Sequence, residues 1–323
     1  MPAHRSRWAY SARVSAATSW RARALAHPAL VPTGLVVAVI AVSFSAILIR
    51  VAEAHPLALA FWRSILGAAA LAPFALAERR TAPARGDLAA MAAAGAFLAV
   101  HFALFIGSLE LTTVASSTVL VTMSPVFVGL GGAVLLAEPP TRRVWGGMAA
   151  AMAGAIGVAL ADAGGEPPAS APLLGDAMAF GGAITVSGYL LIGRSVRRRV
   201  SAARYATGVY LAAAVVLLAA VLALEVPLAG YDAVTWWAIA GLVLGPQLLG
   251  HTLFNALLSR VSATTVSVTV LAEPVGATLL AAVLLAELPA QGFWAAAPLV
   301  LLGVYLASTR SRRAEPEVPG LSR

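Results

Sequence analysis

The sequence predicts an all-α integral membrane protein, with ten transmembrane helices arranged as two inverted five-helix repeats. Three observations predict it. The 323-residue chain is 60% hydrophobic and 11% charged, with a mean hydropathy of +0.87. Long apolar runs recur from end to end. A segment of the first half also returns, without gaps, in the second.

An ordinary globular chain carries about 25% charged residues, so a protein of this composition cannot cover its outside with charge and must face lipid. There is no cysteine, which removes disulfides and thiolate chemistry. The formal charge is +8, and all 22 basic residues are arginine. A basic balance can signal nucleic acid. Here the arginines stand in short connections between apolar runs, where lipid headgroups account for them and nucleic acid is not needed as a partner.

A helix needs about 20 apolar residues to cross a hydrocarbon core of about 30 Å, and only helices or closed barrels satisfy their backbone there. The runs are rich in Ala, Leu and Val and lack period-2 alternation, so they are read as helices. They fall near 31–50, 56–77, 88–109, 112–137, 144–161, 174–193, 203–224, 233–254, 261–286 and 293–309. Residues 1–30 read as a basic cytoplasmic tail, 31–161 and 174–309 as the two five-helix units, and 310–323 as a second cytoplasmic tail. The acidic, Pro- and Gly-containing connection from Asp162 to Pro172 divides the units.

Orientation follows from arginine asymmetry across short loops. With ten crossings, every arginine except Arg50 and Arg63 lies on one side, with both termini. The opposite loops carry Arg50 with Glu53, Glu110, Asp162, Glu166, Asp176, Glu225, Asp232 and Glu287. A miscounted helix would scramble this alternation. The expectation is a multi-pass protein of the plasma (inner) membrane with cytoplasmic ends.

The repeat is read from Thr118–Glu138, TVLVTMSPVFVGLGGAVLLAE, against Ser267–Glu287, SVTVLAEPVGATLLAAVLLAE. Pro125 maps on Pro274, Glu138 on Glu287, Trp145 on Trp294 and Gly154 on Gly303, all at an offset of 149 residues. Five is odd, so the second copy enters the membrane upside down. Inverted repeats are a device of carriers, because two copies of one unit can exchange unequal conformations and so move a midplane site from face to face.

The stretch Leu109–Leu160 and its copy Leu257–Ser308 resemble the drug/metabolite transporter superfamily, specifically EamA-type permeases. The resemblance is carried by Pro125…Glu138 followed by a Gly-rich helix, by Glu273-Pro274…Glu287 in the second copy, and by Arg63 within FWRSILGAAAL. It implies ten helices, inverted repeats and transport of small metabolites, often amino acids outward.

Glu273 lies about twelve residues into its run, roughly 18 Å deep. A carboxylate at the bilayer centre costs about 2.5–3.5 kcal/mol on insertion scales. It must therefore face the interior, be paired or be protonated. That makes it a candidate for a coupling proton or a cationic substrate group; the alternative is a structural acid beside the Pro274 break. Arg63 could clasp a substrate carboxylate, snorkel outward, or pair with Glu53 or Glu110. Gln247, His251 and Asn255 are spaced by four and share a helix face, a candidate site wall. His101 sits mid-run in the third helix, a further candidate substrate contact; the alternative is a satisfied interior histidine. Trp62 and Tyr189 are candidate cavity aromatics. Pro125 and Pro274 each remove a backbone donor within a span and are expected to kink or open it. Glu138, four residues before Arg142, and Glu287 read as structural acids at helix ends. Gly241 and Gly245 form a small-xxx-small pair for close packing or dimerisation. Arg194 to Arg199 reads as an anchor to anionic lipid.

The expected partners are a small-molecule substrate, the bilayer and protons as coupling ion; no cofactor or metal is called for. An enzyme would need a nucleophile and base or a metal cluster at membrane depth, and the sequence contains no H-E-x-x-H, no G-x-S-x-G and no phosphate loop. A channel or sensor is the other alternative, but pores usually draw rings of ligands from oligomeric symmetry, whereas two halves in one chain suit alternating access.

Overall fold

The computed structural model describes residues 30–78, 82–112, 114–162, 170–284 and 288–308. Glu287 and the two tails, with the roles read for them, lie outside the described residues. The regular elements are helices: α1 (Leu30–Ser43), α2 (Ser45–Val51), α3 (Pro56–Ala77), α4 (Arg85–Leu111), α5 (Val114–Val121), α6 (Ser124–Leu135), α7 (Arg142–Asp162), α8 (Pro172–Val196), α9 (Ala202–Ala223), α10 (Ala233–Leu242), a π-helical turn (Val243–His251), α11 (Thr252–Leu257), α12 (Ala263–Val270), α13 (Glu273–Leu284) and α14 (Gln291–Ser308). Among the described residues nine continuous stretches are long and apolar enough to cross a membrane. A further apolar helix, Val119–Leu135, is shorter. Large apolar side chains such as Leu76, Val134, Leu173, Val283 and Leu288 stand almost fully outward, as a lipid-facing surface requires.

Local chemistry sets the helix starts. Ser201 accepts from the Arg204 N–H, and Ser262 from the Thr265 N–H at 3.1 Å, each satisfying a donor that the first turn leaves free. At α10 the Asp232 carboxylate accepts from the Thr235 N–H at 2.8 Å. That backbone bond holds the Asp232 carboxyl below its ordinary range. The cap is therefore intact at neutral pH and is lost only as the pH falls through that range.

The two halves meet by a two-fold exchange visible residue by residue. A Cβ on Gly154 would stand 2.6 Å from the Val300 backbone N and 2.9 Å from the Ala296 O. A Cβ on Gly303 would stand 2.4 Å from the Ala151 N and from the Gly147 O. Shifted by the repeat offset, these are the same two contacts with the halves interchanged. Along the same crossing Ala161 meets Gly292 while Gly147 meets Ala307, so α7 and α14 run antiparallel. Helix contacts elsewhere obey the same exchange: α4 packs on α8 as the α10–π–α11 rod packs on α1, and α3 packs on its repeat partner α9. Gly241 and Gly245 serve the internal packing of that rod, lying against Leu48 and Ala41 of the first span.

The prolines act differently from the expectation. Neither sits in the middle of a continuous helix; each opens a new one. The expected span 112–137 is divided between α5 and α6 at Thr122–Met123, and its copy between α12 and α13 at Leu271–Ala272. These are equivalent positions. Met123 N–H bonds the Leu120 carbonyl at 3.2 Å, and Ala272 N–H bonds that of Thr269 at 3.1 Å, tight three-residue closures in place of the α pattern. Pro125 and Pro274 then occupy the first turn of the following helix, where a missing N–H costs little. The carbonyl of the residue before each proline is taken by a serine from the opposite half's packing partner. Ser187 of α8 donates to the Ser124 O at 3.1 Å, and Ser43 of α1 donates to the Glu273 O at 3.2 Å. Each serine also shares its hydroxyl with its own helix, at Ala183 and Val39.

Candidate functional site

The helix ends fall into two sets. At the arginine-rich end, Glu138 meets Arg194 at 2.8 Å and also Arg198, Asp87 meets Arg199 at 2.7 Å, and Glu78 meets Arg204 at 3.6 Å. Glu138 does not turn to Arg142 as its spacing suggested, because the chain from Leu136 to Thr141 is not helical and Ala137 takes a φ of 53°. Arg194 donates onward to the Leu258 carbonyl at 2.6 Å, and Arg197 to the Asn255 carbonyl at 2.8 Å and to that of Val200. These guanidinium groups satisfy carbonyls at helix C-termini. The stretch read as a lipid anchor is thus partly turned inward: Arg197 is buried, while Arg198 and Arg199 remain half exposed. At the opposite end, hydrogen bonds rather than ion pairs join Asp176 and Trp62 to their neighbours. Thr112 and Ser116 donate to Asp176 at 2.7 and 2.6 Å, and Trp62 Nε1 donates to the Leu228 carbonyl.

Between the two ends lies a buried polar cluster. Arg63 of α3 is 2% exposed. It neither snorkels nor pairs with Glu53 or Glu110. Its Nε donates to the Gln247 Oε1 at 3.0 Å, and its guanidinium carbon sits 4.0 Å from the centre of the Phe102 ring, a cation–π contact strengthened by desolvation. Gln247 lies in the π turn, where Pro246 cannot donate to the preceding turn. The Thr252 N–H instead reaches back to the Gln247 carbonyl. Four residues fall short of a full π turn, so the expected common stripe is splayed. Gln247 faces Arg63, His251 sets its ring edge against Phe102 at 5.6 Å, and Asn255 accepts from the Tyr189 hydroxyl at 2.6 Å. π turns of this kind recur at functional positions.

Tyr210 of α9 completes the cluster. Its hydroxyl lies 3.3 Å from the Gln247 carbonyl and 3.0 Å from the Thr252 Oγ1. Neither Tyr210 nor Phe102 stands out in the sequence; the only signal is a tyrosine inside an otherwise apolar run. His101 points its Nδ1 at the Gly182 carbonyl, 3.0 Å away, and stacks on Phe105 at 6.0 Å, so it serves the α4–α8 contact at the cluster's edge. Of the two candidate aromatics, Tyr189 belongs to the cluster and Trp62 to the arginine-poor end. Glu273 is partly exposed at the start of α13, and no ion pair joins it to Arg63. Its carboxylate makes no hydrogen bond among the described residues.

Three buried nitrogens in this cluster have no acceptor: Arg63 Nη2, Gln247 Nε2 and Asn255 Nδ2. An unmet buried donor costs about 1–3 kcal/mol, more when charged. Toward the arginine-poor end a cavity of about 160 Å³ is lined by residues including Ile49, Arg50, Leu59, Ile106 and Glu110. Leu59 precedes Arg63 by one helical turn and Ile106 follows Phe102 by one, so the cavity floor lies one apolar layer from the cluster. Among the described residues no group of His, Asp and Glu is placed to hold a metal.

No curated protein matches the chain. A solved structure titled only "Crystal structure of protein" is similar, with 22% identity, a TM-score of 0.73, and coverage of 87% of this chain and 97% of that one, a likeness of fold. The sequence matches the EamA-like transporter family over residues 32–160 and 173–309, the greater part of the molecule. With its apolar helices and its antiparallel repeat partners, the chain belongs to the EamA-like transporter family.

Proposed function

We propose that the protein is a secondary transporter that exports small metabolites, amino acids or related compounds, by alternating access across the plasma membrane. In this reading the helices make ten crossings, α5 and α6 together forming the fourth, and both termini are cytoplasmic. The observation that carries it is the pairing of two equivalent helix breaks with a buried polar cluster beside them. Two copies of one hinge, in opposite senses, allow the cluster to open to one face as it closes to the other. The ion-paired arginine-rich end and the cavity toward the other end support an arrangement closed to the cytoplasm. A channel would instead want a ring of ligands along an open pore.

Purified protein in proteoliposomes preloaded with amino acids is expected to show counterflow that saturates with substrate. Absence of counterflow for every amino acid, amine and nucleoside tried would remove the proposal's basis. Glu273 supplies the coupling test. An unpaired acid on the pathway is suited to carry the proton, so Glu273→Gln is expected to abolish gradient-driven accumulation while exchange persists in part. Accumulation equal to wild type would rule proton coupling through Glu273 out.

A further inference from the structure

We infer that Arg63 and Gln247 together form a carboxylate-receiving niche. This deepens the transporter reading, and rests on it for the niche's role as a substrate contact. The two side chains are fixed to each other by the Arg63 Nε–Gln247 Oε1 bond. That bond uses the glutamine's acceptor and one arginine donor, and it leaves Arg63 Nη2 and Gln247 Nε2 as neighbouring N–H donors with nothing to donate to. Both residues are essentially inaccessible, at 2% and 0% exposure, so bulk water does not satisfy them. Asn255 Nδ2 is likewise buried with no acceptor.

A set of donors with no free acceptor selects a ligand group that only accepts. Two oxygens of a planar carboxylate match two adjacent N–H donors. Phe102 covers a face of the guanidinium, which leaves its edge for the ligand. Charge narrows the choice further. Arg63 is a buried cation with no carboxylate paired to it among the described residues. A monoanionic group neutralises it, whereas a doubly charged phosphate would leave net negative charge at membrane depth. A ligand's ammonium group would have a counter-charge to seek in Glu273, whose carboxylate has no ion pair among the described residues.

The test varies the ligand first, because the wild-type protein is then the only one that must fold. Melting of the purified full-length protein is followed in detergent with each free amino acid, with the corresponding amino acid amides, and with small monocarboxylates and phosphate. Stabilisation by binding follows mass action. At least one free amino acid is expected to stabilise the protein, with its amide binding about tenfold or more weakly, the loss of a charge-assisted hydrogen bond. Equal stabilisation by acid and amide, preference for phosphate, or no stabilisation by any carboxylate would overturn the niche. Gln247→Leu and Arg63→Lys should each weaken the acid more than the amide, so that the preference between them falls. If both folded variants keep the acid's full preference, the assignment to these two residues fails. Counterflow separates this from the broader proposal. Equal flux of acids and amides defeats the niche and leaves the transporter; acid-selective binding without flux does the reverse.

Discussion

Replacing Gly303 with leucine is expected to eliminate the folded protein. The crossing of α7 and α14 places backbone against backbone, and the first side-chain atom added at Gly303 would stand 2.4 Å from the Ala151 N and the Gly147 O. Neither is the end of a flexible side chain that could swing away. The helices would have to part along much of their length and strip contacts from Met148, Ala155, Phe293 and Val300, which are packed together there. Overpacking in a core typically costs about 1–3 kcal/mol; a leucine set between two backbones should exceed that. The expected readout is loss of the monodisperse peak in size-exclusion chromatography, or a collapse of the melting temperature. Gly146→Leu, one residue from the crossing with nothing within 4 Å of its added Cβ, should behave as wild type. A normal peak and melt for Gly303→Leu would mean that the crossing is drawn wrongly.

Glu138→Arg is expected to give the second-largest effect, at the arginine-rich end. The carboxylate accepts from Arg194 and Arg198, and Arg194 in turn ties α8 to the Leu258 carbonyl. Reversal removes the shared acceptor and sets three cations together. Breaking a fully buried pair costs about 3–5 kcal/mol. Glu138 and Arg194 keep 21% and 14% of their side-chain surface, and Arg198 is half exposed, so roughly 1–3 kcal/mol is the better expectation once solvent screening is allowed for. The melting temperature should fall by several degrees in low salt and by less in high salt. The double variant Glu138→Arg with Arg194→Glu should recover part of the loss. A single variant that melts as wild type at low salt would show that the cluster of ion pairs does not hold this end.

Much of the fold could be read from the sequence because two strong regularities survive there. Lipid demands runs of fixed length, and a duplicated gene leaves Pro125 and Pro274, or Gly154 and Gly303, at one offset. What could not be read depended on local geometry. Proline was expected to bend an existing helix, but its missing donor is cheapest in a first turn, so it starts one. Gln247, His251 and Asn255 were placed on one face by an α-helical period that Pro246 abolishes. The spacing of Glu138 and Arg142 points to a partner on one helix, and the partner lies on another because the chain leaves the helix first. The cluster itself was half visible. Arg63, Gln247, Asn255 and Glu273 announce themselves as polar residues among apolar ones, while Tyr210 and Phe102 look like ordinary packing until their neighbours are known.

Ser43 and Ser187 each hold the carbonyl in front of a proline, one in each half of the molecule. Any lesion at one therefore has a twin, made of the same atoms in the other half of the molecule. An ideally balanced carrier would respond to both alike. The difference between Ser43→Ala and Ser187→Ala, in melting or in flux, would read out which way the resting protein leans, with each variant serving as the other's reference.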